Sequence, residues 1–320
     1  MRDILERHQV LIYFGLVALA AITGLLVPTM GRLDIAINPA LALMLFVTFL
    51  QVPLPDIGKG FRETRFLGAL LVSNFVIAPV LAYILLQFSP DDAMLRLGIL
   101  MVLLTPCIDY VITFAHLGRA DARLLLTSTP ILLLVQMALL PLYLRLMLGD
   151  EAAGLISMAP FLHAFTGLIM MPLICAGLVQ LWAKHSRAGQ GISNVLGLLP
   201  VPATGLVLFL VVGATVPVLG AASRASLTAL PIYVAFAVIA PALGWGVARV
   251  FTLNSPAGRA VSFSTATRNS LVVLPLALAV PGAIPVLPAV IVTQTLVELV
   301  ASLIYIRILP RVGMTGKTPG

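Results

Sequence analysis

LTPCID, residues 104–109, is the stretch of sequence on which the fold of this chain depends. It lies in the middle of a hydrophobic segment, 94–117, that is long enough to cross a bilayer. Proline lacks a backbone N–H and its ring clashes with the carbonyl four residues earlier, so we expect the helix to break at Pro106. At membrane depth, open backbone is tolerated only where protein or a watery cavity satisfies it, and a carboxylate such as Asp109 is costly without a partner. The stretch therefore predicts an interrupted helix that lines a site.

A second stretch matches the first at an offset of 162 residues, which places Thr267–Asn269 on Thr105–Cys107. It too lies inside a long hydrophobic segment, 257–281, and we expect a second break at Thr267. Without a gap, the same offset aligns the VIAP run of 76–79 with that of 238–241, Gln136 with Glu298, Tyr143 with Tyr305, and Arg145 with Arg307. Single matches of Leu and Val mean little in so apolar a chain. The VIAP run and the Tyr-x-Arg pair, in one register, indicate an internal duplication.

The composition is that of a membrane protein. The 320 residues are 60% hydrophobic and only 10% charged, with a mean hydropathy of +1.11, whereas about a quarter of the residues of a soluble domain are charged. We therefore predict an all-α polytopic protein surrounded by membrane lipid. We attribute the net charge of +7 to cytoplasmic loops, where basic residues cluster, and expect no nucleic-acid partner. Cys107 and Cys175 lie in apolar segments, so we expect both to be reduced.

The hydrophobic pattern predicts ten spans that are joined by short loops. They run near 9–29, 36–55, 66–88, 94–117, 123–148, 158–183, 193–220, 227–252, 257–281 and 285–309. With the N-terminus inside, fourteen of the 19 Lys and Arg residues fall on the inner side, four fall on the outer side, and Arg268 lies within a span. This asymmetry predicts that both termini are cytoplasmic in a multi-pass protein of the inner (plasma) membrane.

Ten spans in two repeats give five spans each, residues 1–150 and 151–320. Because five is odd, the second repeat must run inverted relative to the first. Inverted repeats with paired broken helices are typical of secondary transporters. We see no Walker-type glycine loop, no metal-ligand spacing and no nucleophile elbow, so we expect neither an enzyme nor a cofactor.

These motifs resemble the bile acid/sodium symporter superfamily. The Pro-Cys pair at the break of span four, the following residues 117–121, and Arg268, Asn269 and Glu298 in spans nine and ten are similar to the arsenite efflux permeases. The resemblance covers nearly the whole chain, mainly through topology and these short motifs. It implies a core of spans 3–5 and 8–10, in which the broken spans four and nine cross, beside a panel of spans 1, 2, 6 and 7. It also implies that Cys107 and Glu298 are essential for transport.

The chain departs from the superfamily pattern at two places. The sodium symporters carry Glu-x-x-x-Gln-Asn in span nine, where this chain has Ser264 and Arg268 before Asn269. The arsenite permeases have an uncharged residue at the position of Arg268, and small and apolar residues after the cysteine, where this chain has Asp109 and Tyr110. Both departures lie in the candidate site, so they bear on the identity of the substrate.

The candidate substrate ligands are Cys107, Thr105, Arg268 and Asn269. Trivalent arsenic is soft and prefers thiolate ligands, so an arsenite site needs Cys107 rather than a metal. A thiol beside a helix N-terminus also ionises more easily. A single thiol forms one As–S bond, which suits a carrier that must release its cargo. The alternative is a packing role, which we expect for Cys175.

Three charged residues, Arg268, Asp109 and Glu298, are predicted near mid-depth. An arginine where the sodium symporters keep sodium ligands brings a fixed positive charge that repels sodium, and its guanidinium cannot be the proton site. Glu298 or Asp109 is then the proton-coupling group, and competition between proton and substrate would give antiport. The alternatives are a structural ion network and, for Asp109, a cap on the second half-helix of span four.

Two transport functions follow, and a third class is disfavoured. The first is proton-coupled efflux of arsenite or a related metalloid by alternating access. The second is sodium- or proton-coupled carriage of an organic anion, with Arg268 binding a substrate carboxylate. Cys107 separates the two, because only arsenite needs a thiol. No motif in the sequence supports a membrane-embedded enzyme or a receptor. The sequence does not decide whether the protein forms a homo-oligomer.

Overall fold

The computed structural model of the chain describes residues 2–27, 33–51, 63–108, 110–153, 166–216, 219–278 and 280–312. Over these ranges the chain forms helices and no β-strand. In chain order we label them α1 Arg2–Leu26, α2 Asp34–Phe49, α3 Thr64–Leu86, α4 Ala93–Leu103, α5 Val111–Leu117, α6 Ala122–Ala153, α7 Met171–His185, α8 Arg187–Leu196, α9 Pro200–Thr215, α10 Leu219–Val250, α11 Ser255–Ala266, α12 Ser270–Leu278 and α13 Val286–Ile308.

Several of these helices are long and apolar enough to cross a membrane. In the ranges that the structure describes there are four, within α3, α6, α10 and α13, and a fifth if α8 and α9, which meet at 41°, form one bent span. Helices α2 and α4 and the stretch Leu11–Leu26 of α1 are apolar but shorter. The prediction of an all-α membrane protein is confirmed at this level. The ten predicted spans also count these shorter helices and the interrupted ones.

The chain divides into two compact units. The first comprises Met1–Leu54, Glu151–Leu227 and Leu271–Val292. Within it, α9 packs against α1 and α2, and α7 packs against α2 and α8. The helices approach closely at glycines: a Cβ added to Gly24 of α1 would lie 2.9 Å from the Cβ of Val216. Small residues allow this approach where helices pack in a membrane.

The second unit comprises Pro55–Asp150, Thr228–Ser270 and Thr293–Gly320. It contains α3–α6, α11 and parts of α10 and α13. Helix α4 is capped by Asp92, whose side chain accepts a hydrogen bond from Leu95 N at 2.9 Å. Helix α11 is capped by Asn254, which accepts from Ala257 N at 3.0 Å. Side-chain oxygens at this position satisfy the first free N–H groups of a helix. The two caps are separated by the 162-residue offset found in the sequence.

Two prolines and two tyrosines form a recurring contact in this unit. Pro79 in α3 cannot donate to the carbonyl of Phe75, four residues earlier, and the hydroxyl of Tyr143 donates to that carbonyl instead. In the same way, Pro241 in α10 cannot donate to the carbonyl of Ala237, and the hydroxyl of Tyr305 donates to that carbonyl instead. The three positions of one contact map onto those of the other at the 162-residue offset. The prolines therefore shape their helices and create the acceptors that hold α6 and α13.

The Leu117–Asp121 motif has a structural role. Arg119 adopts a left-handed backbone conformation (φ 54°), and its carbonyl accepts two hydrogen bonds, at 3.0 and 2.7 Å, from the Arg259 guanidinium of α11. The Asp121 carboxylate accepts from Leu124 N at 3.1 Å and so caps α6. The motif fixes the turn between α5 and α6 against α11.

Candidate functional site

Each half-helix that precedes a break is followed by a threonine whose hydroxyl donates to carbonyls of the last helical turn. Helix α4 ends at Leu103, and the Thr105 hydroxyl donates to Met101 O and Val102 O, both at 2.9 Å. Pro106 has no N–H for the Val102 carbonyl, which accepts instead from both the N–H (3.1 Å) and the hydroxyl of Thr105. At the equivalent position, the Thr267 hydroxyl donates to Phe263 O at 2.8 Å after α11 has ended.

The two broken segments pair with each other. Pro106 and Arg268 form an antiparallel bridge. The N–H of Cys107 donates to Thr267 O at 3.1 Å, and the N–H of Asn269 donates to Thr105 O at 2.8 Å. Each segment thus satisfies backbone that its own helix has left open, as mid-membrane backbone requires. Cys107 and Asn269 are separated by 162 residues, and so are Thr105 and Thr267. Each bond is therefore the counterpart of the other, as in a local two-fold relation.

The pairing brings most of the predicted site residues together. Thr105, Cys107, Arg268 and Asn269 are all buried within the second unit, and the Cys107 side chain is 1% exposed. The thiol and the Arg268 guanidinium are close enough to interact electrostatically. The second thiol, Cys175, is exposed in the first unit.

Asp109 lies outside the described residues. Among the residues that are described, no group of three His, Cys, Asp or Glu side chains is arranged to hold a metal ion.

The guanidinium of Arg268 is enclosed by oxygen atoms. Its four acceptors are Asn74 Oδ1 at 3.0 Å, Ser264 O at 3.1 Å, Leu103 O at 3.4 Å and Thr265 O. The ring of Phe236 lies beneath it, with its centroid 5.2 Å from the guanidinium carbon. No carboxylate of the described residues forms an ion pair with this group. The positive charge is therefore held by neutral oxygens and an aromatic face.

Glu298 contacts Arg268 through the backbone. One carboxylate oxygen accepts from the Arg268 N–H at 2.6 Å, and the other accepts from the Tyr110 hydroxyl, also at 2.6 Å. The amide of Gln294, one helical turn earlier on α13, is the third donor. Arg268 lies between α11 and α12, which begins at Ser270, so its N–H is not part of a helix. This N–H donates to the carboxylate instead.

Two residues of the site were not predicted from the sequence, Asn74 and Gln294, and Tyr110 was noted there only as a departure from the arsenite permeases. Asn74 lies in a π-helical turn of α3, Ser73–Ile77, and such turns are frequent at functional sites. Its amide also donates to Ser264 Oγ at 3.0 Å. The spacing of Gln294 and Glu298, four residues apart on one predicted helix, was a signal that could have found the glutamine.

Comparison of the sequence with models of known protein families assigns the chain to a family. A model of the Sodium Bile acid symporter family matches residues 38–221, more than half of the chain. The chain belongs to this family. Like other members of the symporter family, it is a transporter, and its apolar helices make it a multi-pass membrane protein. No curated protein matches it. The symporter match includes Thr105–Tyr110 and ends before Arg268 and Glu298.

Proposed function

We propose that the chain is a secondary active transporter that exports arsenite, or a related metalloid, in exchange for protons. The observation that carries this proposal is the position of Cys107, a buried thiol at the centre of the paired breaks. A soft thiolate ligand at this place can hold trivalent arsenic through one bond and release it again. The bond from the Asn269 N–H to Thr105 O, and the bond from the Cys107 N–H to Thr267 O, fix the backbone at the thiol.

Alternating access in this proposal uses two inverted repeats of five spans, residues 1–150 and 151–320, in the inner (plasma) membrane with both termini cytoplasmic. The support comes from contacts that recur at the 162-residue offset: the helix caps, the proline–tyrosine contacts and the exchanged bonds of the two breaks. In a structural repeat, the contacts between residues are expected to recur as well as the residue types.

The proposal excludes sodium as the driving ion. Hard cations bind through sets of oxygen ligands such as carbonyl and amide oxygens. The guanidinium of Arg268 already takes four such oxygens, so it acts as a tethered cation at the place where the sodium symporters keep their ligands. Its charge cannot be removed near neutral pH. A sodium ion would find these oxygen ligands already occupied, and the positive charge of Arg268 would repel it.

Glu298 then exchanges the proton, and Tyr110 lets it do so with little rearrangement. The Tyr110 oxygen lies 2.6 Å from the Glu298 carboxylate and 3.4 Å from the Arg268 carbonyl. When the carboxylate is charged, the tyrosine hydroxyl donates to it. When Glu298 is protonated, its own O–H can donate to the tyrosine oxygen, and the hydroxyl can turn to the carbonyl.

A second candidate function, carriage of an organic anion, is favoured by one observation. The Nε–H of Arg268 is buried and has no acceptor in the part of the chain that the structure describes. A carboxylate or sulfonate oxygen would satisfy this donor and the positive charge together. This function does not need the thiol of Cys107.

Replacement of the two thiols tests the proposal in an arsenite-sensitive host. Cys107→Ser should abolish arsenite resistance at unchanged protein level, because an alcohol does not replace a soft thiolate ligand. Cys175→Ser, the matched control, should keep full resistance. Equal resistance from both variants would show that no thiol binds the substrate and would favour the organic anion.

A further inference from the structure

Gln136 on α6 is buried, and among the described residues its side chain has no hydrogen-bond partner. Its side chain is 1% exposed, and neither its amide oxygen nor its amide nitrogen has a hydrogen-bond partner among the described residues. Buried polar atoms are nearly always paired, so an amide with both ends unpaired requires an explanation. Neither the fold nor the proposed transport site has given this residue a role.

The duplication explains why the amide is unpaired. Gln136 is the counterpart of Glu298, whose three donors are the Arg268 N–H, the Tyr110 hydroxyl and the Gln294 amide. The residues at the equivalent positions of the other repeat are Pro106, Val272 and Leu132. A proline nitrogen and two hydrocarbon side chains have no proton to donate. Each donor that satisfies Glu298 thus has, at the equivalent position in the sequence, a residue that cannot donate in its place.

The same relation places the amide near the thiol. Tyr143 and Tyr305, each seven residues beyond this position, anchor α6 and α13 through equivalent contacts. The paired breaks obey the same relation. Gln136 should therefore face Pro106 as Glu298 faces the Arg268 N–H. Cys107 is the next residue in the chain after this proline.

We infer that Gln136 is the second substrate ligand and that it binds the hydroxyl groups of a neutral trihydroxy metalloid held by Cys107. The inference rests on the proposed function and deepens it. An amide offers both a donor and an acceptor, and a hydroxyl group offers both in return. A carboxylate anion only accepts, so it would leave the amide oxygen unpaired. The chemistry of Gln136 therefore favours arsenite, As(OH)₃, over an organic anion.

The binding step balances without a further reactant. The sulfur of Cys107 forms a bond to arsenic, one As–O bond breaks, and the thiol proton leaves with that hydroxyl as water. Arsenic stays trivalent, and two hydroxyls remain on it for the Gln136 amide. Release is the reverse step, in which water attacks arsenic and returns the proton to the thiol.

The test measures how arsenite raises the melting temperature of the purified full-length protein. Gln136→Met keeps the size of the side chain and removes both polar atoms. Ser302→Ala is the matched control, because the Ser302 hydroxyl on α13 is likewise buried without a partner in the described ranges. If the methionine variant does not purify as folded protein, Gln136→Asn, which shortens the amide by one methylene, takes its place.

Without arsenite, Gln136→Met should melt at or above the wild-type temperature, because it removes two unpaired atoms. It should then need about tenfold or more arsenite for half of the maximal stabilisation, the order expected for lost hydrogen bonds. Ser302→Ala should keep the wild-type response, and Cys107→Ser should lose it. Wild-type arsenite affinity in the Gln136 variants would overturn the inference and leave the proposed function standing. No stabilisation of the wild type by arsenite would overturn both.

Discussion

The two charged residues beside the paired breaks are held in different ways, and this difference decides what each can do. The Arg268 guanidinium is bonded to four oxygen atoms, whereas the Glu298 carboxylate meets only the backbone N–H of that residue. The carboxylate therefore has no side-chain ion pair to lose when it gains a proton. In the proposed function, Arg268 supplies a permanent charge and Glu298 is the group that gains and loses the proton.

Glu298→Gln should abolish the response of transport to pH and leave exchange of arsenite across the membrane intact. A glutamine side chain keeps the shape and can still accept from the Arg268 N–H, but it cannot exchange a proton. Exchange of labelled arsenite and pH-driven uptake, both in vesicles of purified protein, separate the two properties. Unchanged pH-driven uptake would assign the proton to another group, and a loss of folded protein would make Glu298 a structural residue.

The site residues that the sequence revealed are those that break a local rule. Pro106 and Cys107 stand out because a proline and a thiol lie in mid-membrane, and Arg268 because a charge interrupts an apolar segment. Tyr110 breaks no such rule, and its partner Glu298 is 188 residues away in the chain. Asn74 meets Arg268 across 194 residues. Pairings of this kind depend on how helices pack, which hydropathy does not encode.

At the scale of helices, proline and tyrosine work as a pair. The sequence favours kinks at Pro79 and Pro241, because a proline removes a donor. It did not predict that Tyr143 and Tyr305 would supply the missing donors. A proline in this unit thus does more than bend its helix, since the carbonyl that it opens becomes the docking point for another helix.

Tyr143→Phe should lower the stability of the folded protein by about 1–3 kcal/mol, because it leaves the Phe75 carbonyl without a donor. Pro79→Ala restores an N–H for that carbonyl, so the double variant should recover part of the loss. Thermal melting of the two single variants and the double variant gives the coupling. Additive losses would mean that the proline and the tyrosine act independently, against the contact described here. The pair of Pro241 and Tyr305 serves as an internal replicate.

The sequence predicted that two helices would break, but it did not predict how many residues each break contains. Pro106 and Thr267 were predicted as single break points, but the helical residues stop at Leu103 and Ala266 and resume at Val111 and Ser270. The first break is longer mainly on its far side, because α5 begins at Val111, three residues after the position equivalent to the start of α12. This part of the break includes Tyr110, whose hydroxyl bonds to Glu298, and a contact across 188 residues is not visible in the hydropathy.

For the molecule as a whole, the proposed inverted arrangement makes a prediction about sidedness. Reporter tags inserted at Gly149 and after Gly320 should report opposite sides of the membrane, because the ten-span prediction puts five spans between the two points. Activity of periplasmic and cytoplasmic reporter enzymes measures this. Both tags on one side would rule out the ten-span count that the distribution of basic residues supports.

The coupling ion is also a property of the whole molecule. Because a tethered guanidinium fills the oxygen set beside Asn74, transport of arsenite by purified protein in vesicles should respond to a pH gradient and ignore a sodium gradient. Arsenite uptake under each gradient alone, at matched membrane potential, measures this. Uptake driven by sodium in the wild-type protein would show that the guanidinium does not replace the ion.

A double variant gives this prediction a positive control. Ser264→Glu with Arg268→Gln restores the Glu-x-x-x-Gln-Asn pattern of the sodium symporters before Asn269. It removes the tethered charge, adds a carboxylate, and leaves the oxygens of Asn74 and Thr265 free for an ion. Sodium should then stabilise the protein in thermal melting, by an amount that grows with its concentration. Arg268→Lys, which keeps a positive charge, should show no such response. Sodium stabilisation equal in the wild type, the lysine variant and the double variant would mean that residue 268 does not select the coupling ion.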